Sequence, residues 1–446
     1  MALVDENCRD DGGLREQDRV RVAEFLADED RAQITGRGVP FFSGRESELG
    51  VFRRAVNALS RDRRGNATIV VEGPPGVGKS ALMCQFMEEM RSLPPAGAGG
   101  RRWLPVPLSA GDAESPPDIA AAIDAAIVSR LAADLLASAS AEAGLLERLG
   151  DYWGKLDPAG AKAKAREFLD RGGSVLGFSL GASREGPPRS IAQAAARRPA
   201  WHSWQVVLMI DEAQGIRPGE PNAGGGTLSA LHQGIVRAPV SFCAFGLPGT
   251  LLALGDVGVS RLSGGRAIHL RGLDDKAAGQ TVERCFNLFS VEGGTPWREA
   301  ILARAANWPQ HLAAYLNAAI RQLREASPER MDAGDADLKA AMREGDRARA
   351  RYYEQRLARL RRRHGGFERL AKALAPALLE RGGSLPYNEL FDLVEELGRR
   401  IFPPSGTNAT QFIQDAEHSG FLAPAGDEHA YLMPIPSFAS HLLGDG

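Results

Sequence analysis

Residues 68–82 read TIVVEGPPGVGKSAL, and the chain changes character in the middle of them. Thr68, Ile69, Val70 and Val71 form an apolar, β-branched run, the mark of a strand buried on both faces. Ser80, Ala81 and Leu82 open a helical run. Between them lie three glycines, two prolines and a lysine. The string Gly73-Pro74-Pro75-Gly76-Val77-Gly78-Lys79-Ser80 fits G-x-x-x-x-G-K-[ST]. A triphosphate carries several negative charges and offers only acceptors. Glycines let successive backbone N–H groups curl into one concavity, and the following helix adds the partial positive charge of its N-terminus. Gly73–Ala81 is therefore expected to cradle phosphates. Lys79 reaches toward the β- and γ-phosphates and the Ser80 hydroxyl toward Mg²⁺. ATP and Mg²⁺ are the expected ligands.

The apolar run Val206–Ile210 ends in Asp211 and Glu212. In α/β sheets ligands bind at the C-terminal ends of the strands. A strand lying beside that of residues 67–72 would bring Asp211 to the metal, held through water. Glu212 would then orient and deprotonate the attacking water. Gln214 extends the string to DEAQ; sensing of the γ-phosphate, packing and a surface role are all open to it.

The bulk numbers exclude several classes. The chain has 446 residues, 43% hydrophobic and 25% charged, with a net charge of −2. This is an ordinary globular composition, with no global basicity pointing to nucleic acid. The four cysteines, Cys8, Cys84, Cys243 and Cys285, are far apart and form no CxxC pair. Neither a zinc site nor a disulfide scaffold fits, so a reducing, cytoplasmic location is expected. The start, MALVDENCRDDGG, is acidic and lacks the apolar core of a signal peptide. The run Val206–Ile210 is too short to cross a bilayer, so no membrane association is expected.

Read for organisation, residues 1–37 form a charge-rich mobile arm with one helix near Val20–Leu26. Residues 38–273 alternate strands with helices, with strands at 67–72, 102–108, 205–210, 239–246 and 267–270. An insertion at about 132–200 interrupts them, with helices expected at about 119–148 and 160–171. Residues 274–330 read as a helical lid and 331–364 as a basic connecting helix. Residues 365–446 read as a winged-helix-like unit. Its helices fall at 367–381, 386–398 and 407–419, and a hairpin follows from GFLAPAG and HAYLMPI. The fold class is α/β: a three-layer P-loop NTPase core with a parallel sheet, a helical lid and a C-terminal winged-helix domain.

Further residues resemble a family. Residues 39–49, VPFFSGRESEL, resemble the FxGRExEL segment of origin-recognition-like and STAND-type ATPases of the AAA+ group. The resemblance implies that Phe42, Gly44 and Arg45 lie on the adenine side of the nucleotide. The same residues also read as a capping box, with Ser43 as cap and Glu46 three residues on. The stretch 239–252 is similar to the family's sensor strand. The usual polar residue at its end is absent here, where Cys243, Ala244, Phe245 and Gly246 stand; Ser241 and Thr250 are the polar residues nearby. Arg261 and Arg266 lie in a stretch similar to one that carries an arginine acting across a subunit interface, which implies a nucleotide-dependent homo-oligomer. Asn307-Trp308-Pro309-Gln310-His311-Leu312 is similar to the family's GxPxxL lid motif, with Pro309 on the nucleotide side. Asn307 stands in place of the glycine and tolerates positive φ. The family likeness implies an ATP-driven switch acting on DNA or a protein partner. The alternatives are a non-catalytic nucleotide-gated scaffold and a DNA-binding regulator in which ATP is secondary.

Local charge bears on the partner. Residues 365–446 hold five basic and eleven acidic residues, net −6, and the third helix carries Asp415 and Glu417. That surface repels phosphate, although Asn408, Thr410 and Gln411 are able to read bases, and it suits a protein partner. Met342–Arg363 is the reverse, with nine arginines against three acids, net +6. The helix Arg347–Arg363 is a candidate DNA contact, with Tyr352 and Tyr353 available for stacking. A solvated helix paired with its acidic neighbour in a closed form is the other reading.

Overall fold

The structure is a computed structural model that describes residues 42–61, 68–95, 100–109, 122–124, 126–127, 130, 199–215, 240–256, 259, 267–326, 331–334, 336–363, 366–381, 383–402, 408–424, 430–435 and 437–444. The helix expected near Val20–Leu26, nearly all of the insertion, Arg261 and Arg266 lie outside them. The chain forms two compact units. One comprises Glu46–Glu72 and Leu82–His269; the other comprises Gly73–Ala81, Leu270–Gly446 and the described residues of Met1–Arg45.

The first unit is an α/β layer structure. Along the chain come α1 (Glu46–Arg61), β1 (Ile69–Glu72), α2 (Lys79–Ser92), β2 (Arg102–Ser109), β3 (Trp204–Asp211), β4 (Val240–Gly246), α3 (Thr250–Asp256) and β5 (Ala267–His269). The five strands pair in parallel in the order β2-β3-β4-β1-β5. Every residue of β1, β3 and β4 is buried. Their apolar runs are therefore continuous rather than alternating, as both faces of a parallel sheet are covered.

One expectation fails here. The strand beside β1 is β4, not β3. Ala244 of β4 pairs with Val70 on one side and with Ile210 on the other. Asp211 thus sits two strands from β1, about 10 Å away by ordinary strand spacing. Apolar content marked β3 and β4 equally as central strands and carried no information on their order.

Aromatic stacking seats the helices. Phe52 of α1 stacks on Phe86 of α2 with ring centroids 4.1 Å apart, and Phe86 meets Phe245 of β4 at 5.9 Å. Trp201 is fully buried and its Nε1 donates to Asp124 Oδ1 at 2.9 Å. The last residue of β1 is a buried carboxylate that both oxygens put to use. Glu72 Oε1 accepts the Leu251 N–H at 2.5 Å in the first turn of α3, and Oε2 faces His269 Nδ1 of β5 at 3.2 Å. Cys84 and Cys243 are buried, and burial is the main cause that pushes their thiols up to about 11 and about 12.

The second unit is mostly helical. It contains α4 (Asp275–Leu288), α5 (Thr295–Ala305), α6 (Pro309–Ala326) and α7 (Leu338–Arg363), followed by α8 (Phe367–Glu380), β6 (Ser384–Pro386), α9 (Tyr387–Ile401), α10 (Ala409–His418), β7 (Ala423–Pro424), β8 (Ala430–Leu432) and α11 (Phe438–Leu443). The helix α4 starts where Asp274 caps it, with Oδ1 accepting the Ala277 N–H at 2.6 Å; this satisfies one of the orphan amides of the first turn. Val282, Cys285, Phe286, Trp297, Leu312 and Tyr315 anchor the core of α4–α7. Burial pushes the Cys285 thiol up to about 12. In the C-terminal segment Phe367 packs on Phe412 and Phe421, and Phe421 packs on Phe438. The expected hairpin gains a third strand, since β8 pairs antiparallel with both β7 and β6. Three residues ending in proline give too short a pattern for β6 to register in sequence. Among the described residues no helix is long and apolar enough to cross a membrane.

A buried polar chain joins α6, α7 and the start of α11. His311 is fully buried; its Nδ1 lies 3.3 Å from the Ala305 carbonyl, and its Nε2 lies 2.9 Å from the Tyr353 hydroxyl. A carbonyl only accepts, so Nδ1 carries the proton and neutral Nε2 accepts from Tyr353. The Tyr353 oxygen lies 3.0 Å from Ser437 Oγ, which donates to it. Burial, with the Arg349 charge second, lowers the His311 pKa from 6.5 to about 4.

The sign follows from that shift. Between pH 6.5 and about 4 the unfolded chain binds a proton that folded His311 refuses. Its contribution is fully present above pH 6.5 and falls by about 1.4 kcal/mol per unit on acidification through that window. Denaturant midpoints at pH 7.5 and 5.0 will show this loss in the wild type. His311→Phe will be less stable at pH 7.5 and will lack this part of the pH dependence.

Candidate functional site

The loop Gly73–Ala81 is held tightly within the second unit. Gly76 and Gly78 have φ of 77° and 96°, both left-handed. A Cβ on Gly76 would lie 2.8 Å from Gln310 Cβ and 3.0 Å from both Trp308 Nε1 and the Tyr352 hydroxyl. Backbone conformation and space thus both demand glycine there. The Gly76 carbonyl accepts the Gln310 N–H at 3.1 Å from the first turn of α6. Pro309 takes the first position of that helix, where a missing N–H costs nothing, and it lies 3.7 Å from where a Cβ on Gly78 would be. Pro75 rests directly on Gly420, where an added Cβ would come within 2.1 Å of its ring. Val77 is buried.

Lys79 is buried. Its Nζ donates to the Gly73 carbonyl at 2.7 Å and to the Pro74 carbonyl at 3.0 Å. These partners carry no formal charge, and an anion in the loop would give the ammonium a stronger, charge-assisted partner. Ser80 and Ala81 follow in the first turn of α2.

Residues 42–45 brace the loop. Arg45, itself at a φ of 79°, donates through Nη2 to the Val77 carbonyl at 3.1 Å and to the Arg271 carbonyl at 2.7 Å. The Phe42 carbonyl accepts from Arg284. The capping-box expectation is overturned: the Ser43 hydroxyl donates to the Ala277 carbonyl at 3.0 Å and lies 2.5 Å from Thr281 Oγ1. A buried hydroxyl beside α4 found its partners there. Asn307 has a φ of 58°, a conformation this residue type tolerates, and Ala306 is also left-handed at 48°. Trp308 is 3% exposed, and its Nε1 has no hydrogen-bond partner among the described residues.

The acidic pair belongs to the first unit. Asp211 is buried at the end of β3, and its Oδ1 accepts the Glu212 N–H at 2.9 Å. After burial, the Asp211 charge is the next cause raising the Cys84 thiol pKa. Glu212 is exposed and has a φ of 53°, a conformation that costs a non-glycine residue about 1 kcal/mol or more. The nearby polar side chains of β4 and α3 face carbonyls: Ser241 Oγ lies 3.5 Å from the Val206 carbonyl, and Thr250 Oγ1 donates to the Leu247 carbonyl at 2.6 Å.

The expected nucleic-acid readers are placed differently. Tyr353 is buried in the His311 chain and is not available for stacking. Tyr352 is half-buried, with its hydroxyl facing Gly76 and the Arg356 guanidinium 5.4 Å over its ring. Asn408 caps α10 through the Gln411 N–H at 3.0 Å, and the Gln411 amide donates to Asp415 at 3.0 Å. Of the α7 arginines, Arg349 pairs with Asp346, and Arg361 pairs with Glu354 and Glu368. Among the described residues the contact of Arg361 with Glu368 is the one ion pair between these arginines and residues 365–446. Arg347 and Arg351, one turn apart, are exposed and pair with no acid among the described residues. The sequence reading missed Glu72, Trp308 and the two-ended use of Gln214. Only the position of Glu72 directly before the loop gave a signal.

No protein-family model and no curated protein matches the sequence. Among solved structures the chain is similar to the Walker-type ATPase PABY2304 of Pyrococcus abyssi. The two share 14% identity and a TM-score of 0.54 over 90% of this chain and 96% of that one. The chain is also similar to the Aeropyrum pernix ORC2 protein, solved in ADPNP–ADP complexes, at 12% identity and a TM-score of 0.49 over 90% and 92% of the two chains. The first likeness establishes the fold, an α/β P-loop NTPase fold, as the resemblance to AAA+ ATPases implies.

Gly76→Ala meets both a left-handed backbone and three atoms within 3.0 Å. Thermal denaturation is expected to show a loss of at least about 1–2 kcal/mol. Calorimetric titration with MgATP is expected to show affinity weakened at least tenfold, about 1.4 kcal/mol.

Proposed function

We propose that this chain is an ATP-binding and ATP-hydrolysing molecular switch of the AAA+ kind. The observation that carries the reading is the Gly73–Ser80 loop, with left-handed Gly76 and Gly78 and with the Lys79 ammonium held on the loop's own carbonyls. A loop built this way fits a polyphosphate. Its amides and the α2 N-terminus supply donors, and Lys79 exchanges carbonyl partners for phosphate oxygens. Phe42, Arg45 and Pro309 belong to the nucleotide side of the same unit, Arg45 by fixing Val77.

Among the described residues no group of three or more His, Cys, Asp or Glu side chains could hold a metal alone. Magnesium arriving with the nucleotide fits better, since Ser80 and Asp211 are hard oxygen donors. Bound there, it would neutralise charge developing on the transferred phosphoryl group. Asp211 is the carboxylate that would hold the metal. Glu212 takes the proton of the attacking water and aims its oxygen at the γ-phosphorus.

A second reading, a nucleotide-gated scaffold that seldom turns over, is favoured by the β4 end, where Ser241 and Thr250 face backbone carbonyls. The partner is DNA or protein. The exposed arginines of α7 favour DNA and the acidic segment 365–446 favours protein.

Lys79→Ala is expected to lose ATP affinity at least tenfold by calorimetry. Glu212→Gln should bind ATP as the wild type does and release phosphate about 100-fold more slowly or worse. If wild type and Glu212→Gln are equally inactive in phosphate release, with DNA and candidate partners present, the scaffold reading is selected. For the partner, the double variant Arg347→Glu/Arg351→Glu should weaken DNA binding in fluorescence anisotropy and flatten its salt dependence by about one unit of slope per lost contact. Unchanged salt dependence removes α7 from the DNA-binding surface.

A further inference from the structure

Gln214 stands two residues after Glu212, in the single 3₁₀ turn Ala213–Gly215, and both ends of its amide are engaged. Its Oε1 accepts the Leu247 N–H at 3.0 Å, and its Nε2 donates to Glu212 Oε2. The partners fix which end is which. A backbone N–H only donates and an ionised carboxylate only accepts, so one orientation of the amide satisfies both.

The receiving end is built to hold it. Leu247 directly follows β4, and its carbonyl accepts both the Thr250 hydroxyl at 2.6 Å and the Thr250 N–H at 3.1 Å. The preceding residue is Gly246, where a Cβ would fall 2.8 Å from Gln214 Oε1 and 2.1 Å from Thr250 Oγ1. Any side chain there would push the amide off the strand end. Glu212 itself is exposed and its backbone is left-handed. Apart from the amide of Gln214, no side chain of the described residues hydrogen-bonds its carboxylate. The direction of that carboxylate is therefore set through Gln214 by the backbone of the Leu247–Thr250 turn.

We infer that Gln214 is a positioning residue for Glu212: it ties the carboxylate to the end of β4, so that movement of the Leu247–Thr250 turn re-aims it. This rests on the reading of Glu212 as the group that activates water.

The test uses the full chain with MgATP. Gln214→Ala should lower kcat about 10- to 100-fold while ATP affinity stays within about twofold of wild type, because the loop is untouched. Gln214→Asn is one methylene too short to span both partners and should behave like the alanine variant. Gln214→Glu keeps the shape and replaces the donor with a second acid. Two carboxylates this close resist joint ionisation, so the acid limb of its pH–rate profile should move up by about one unit. A purely structural role for Gln214 would not move that limb. If Glu212→Gln is inactive while Gln214→Ala and Gln214→Glu both match the wild type in kcat and pH profile, the inference is overturned and the reading of Glu212 stands. If the wild type does not turn over, or Glu212→Gln is as active as it, the reading of Glu212 fails and takes the role of Gln214 with it.

Discussion

A backbone forced twice into the left-handed region within three residues, while packed against neighbours, is the constraint on which the second unit turns. Gly76 and Gly78 satisfy it. Around Gly76 gather Trp308, Gln310 and Tyr352, contributed by the lid motif and by α7. A residue with a side chain would have to displace all three. The same carbonyl that makes the turn is caught by the first turn of α6. The loop and the start of α6 are thus packed together, and the chemistry proposed for the loop depends on residues more than two hundred positions away.

Within each unit the polar groups pair with groups of opposite capacity. Lys79 meets carbonyls, Ser43 meets the carbonyl and hydroxyl groups of α4, and Glu72 meets an amide and an imidazole. An unpaired polar group in such surroundings costs about 1–3 kcal/mol, which is reason enough for these pairings. It also separates two kinds of polar residue near the proposed chemistry. Thr250 is committed to shaping a turn. Glu212 is exposed and held by a single neighbouring amide, and so has freedom left to act.

Much of this was legible in the sequence, for definable reasons. All five parallel strands lie within two residues of their expected positions; for β1, β3 and β4 the reason is that a strand buried on both faces writes a continuous apolar run. The turn at 73–78 was legible because few sequences other than a glycine-rich one permit it. Asn307, a residue type that tolerates positive φ, adopts one. What failed to show has a common cause. Strand order, the partners of Ser43, the burial of Tyr353, and the cap made by Asn408 all depend on which distant surface arrives next to a residue. Spacing along the chain does not encode that. Gln214 is the clearest case: a glutamine in a DEAQ string looks the same whether it faces water or bridges two strand ends.

The three buried thiols have a practical consequence. Only the thiolate attacks an alkylating reagent at a useful rate, and with their ionisation pushed to about 11 and about 12, Cys84, Cys243 and Cys285 are shielded twice, by access and by protonation. Cys84 and Cys243 sit in one unit and Cys285 in the other. Each unit therefore carries its own built-in reporter. Labelling of an individual cysteine counts the molecules in which that unit has come open, and comparing the sites tells whether the two units breathe separately or melt as one.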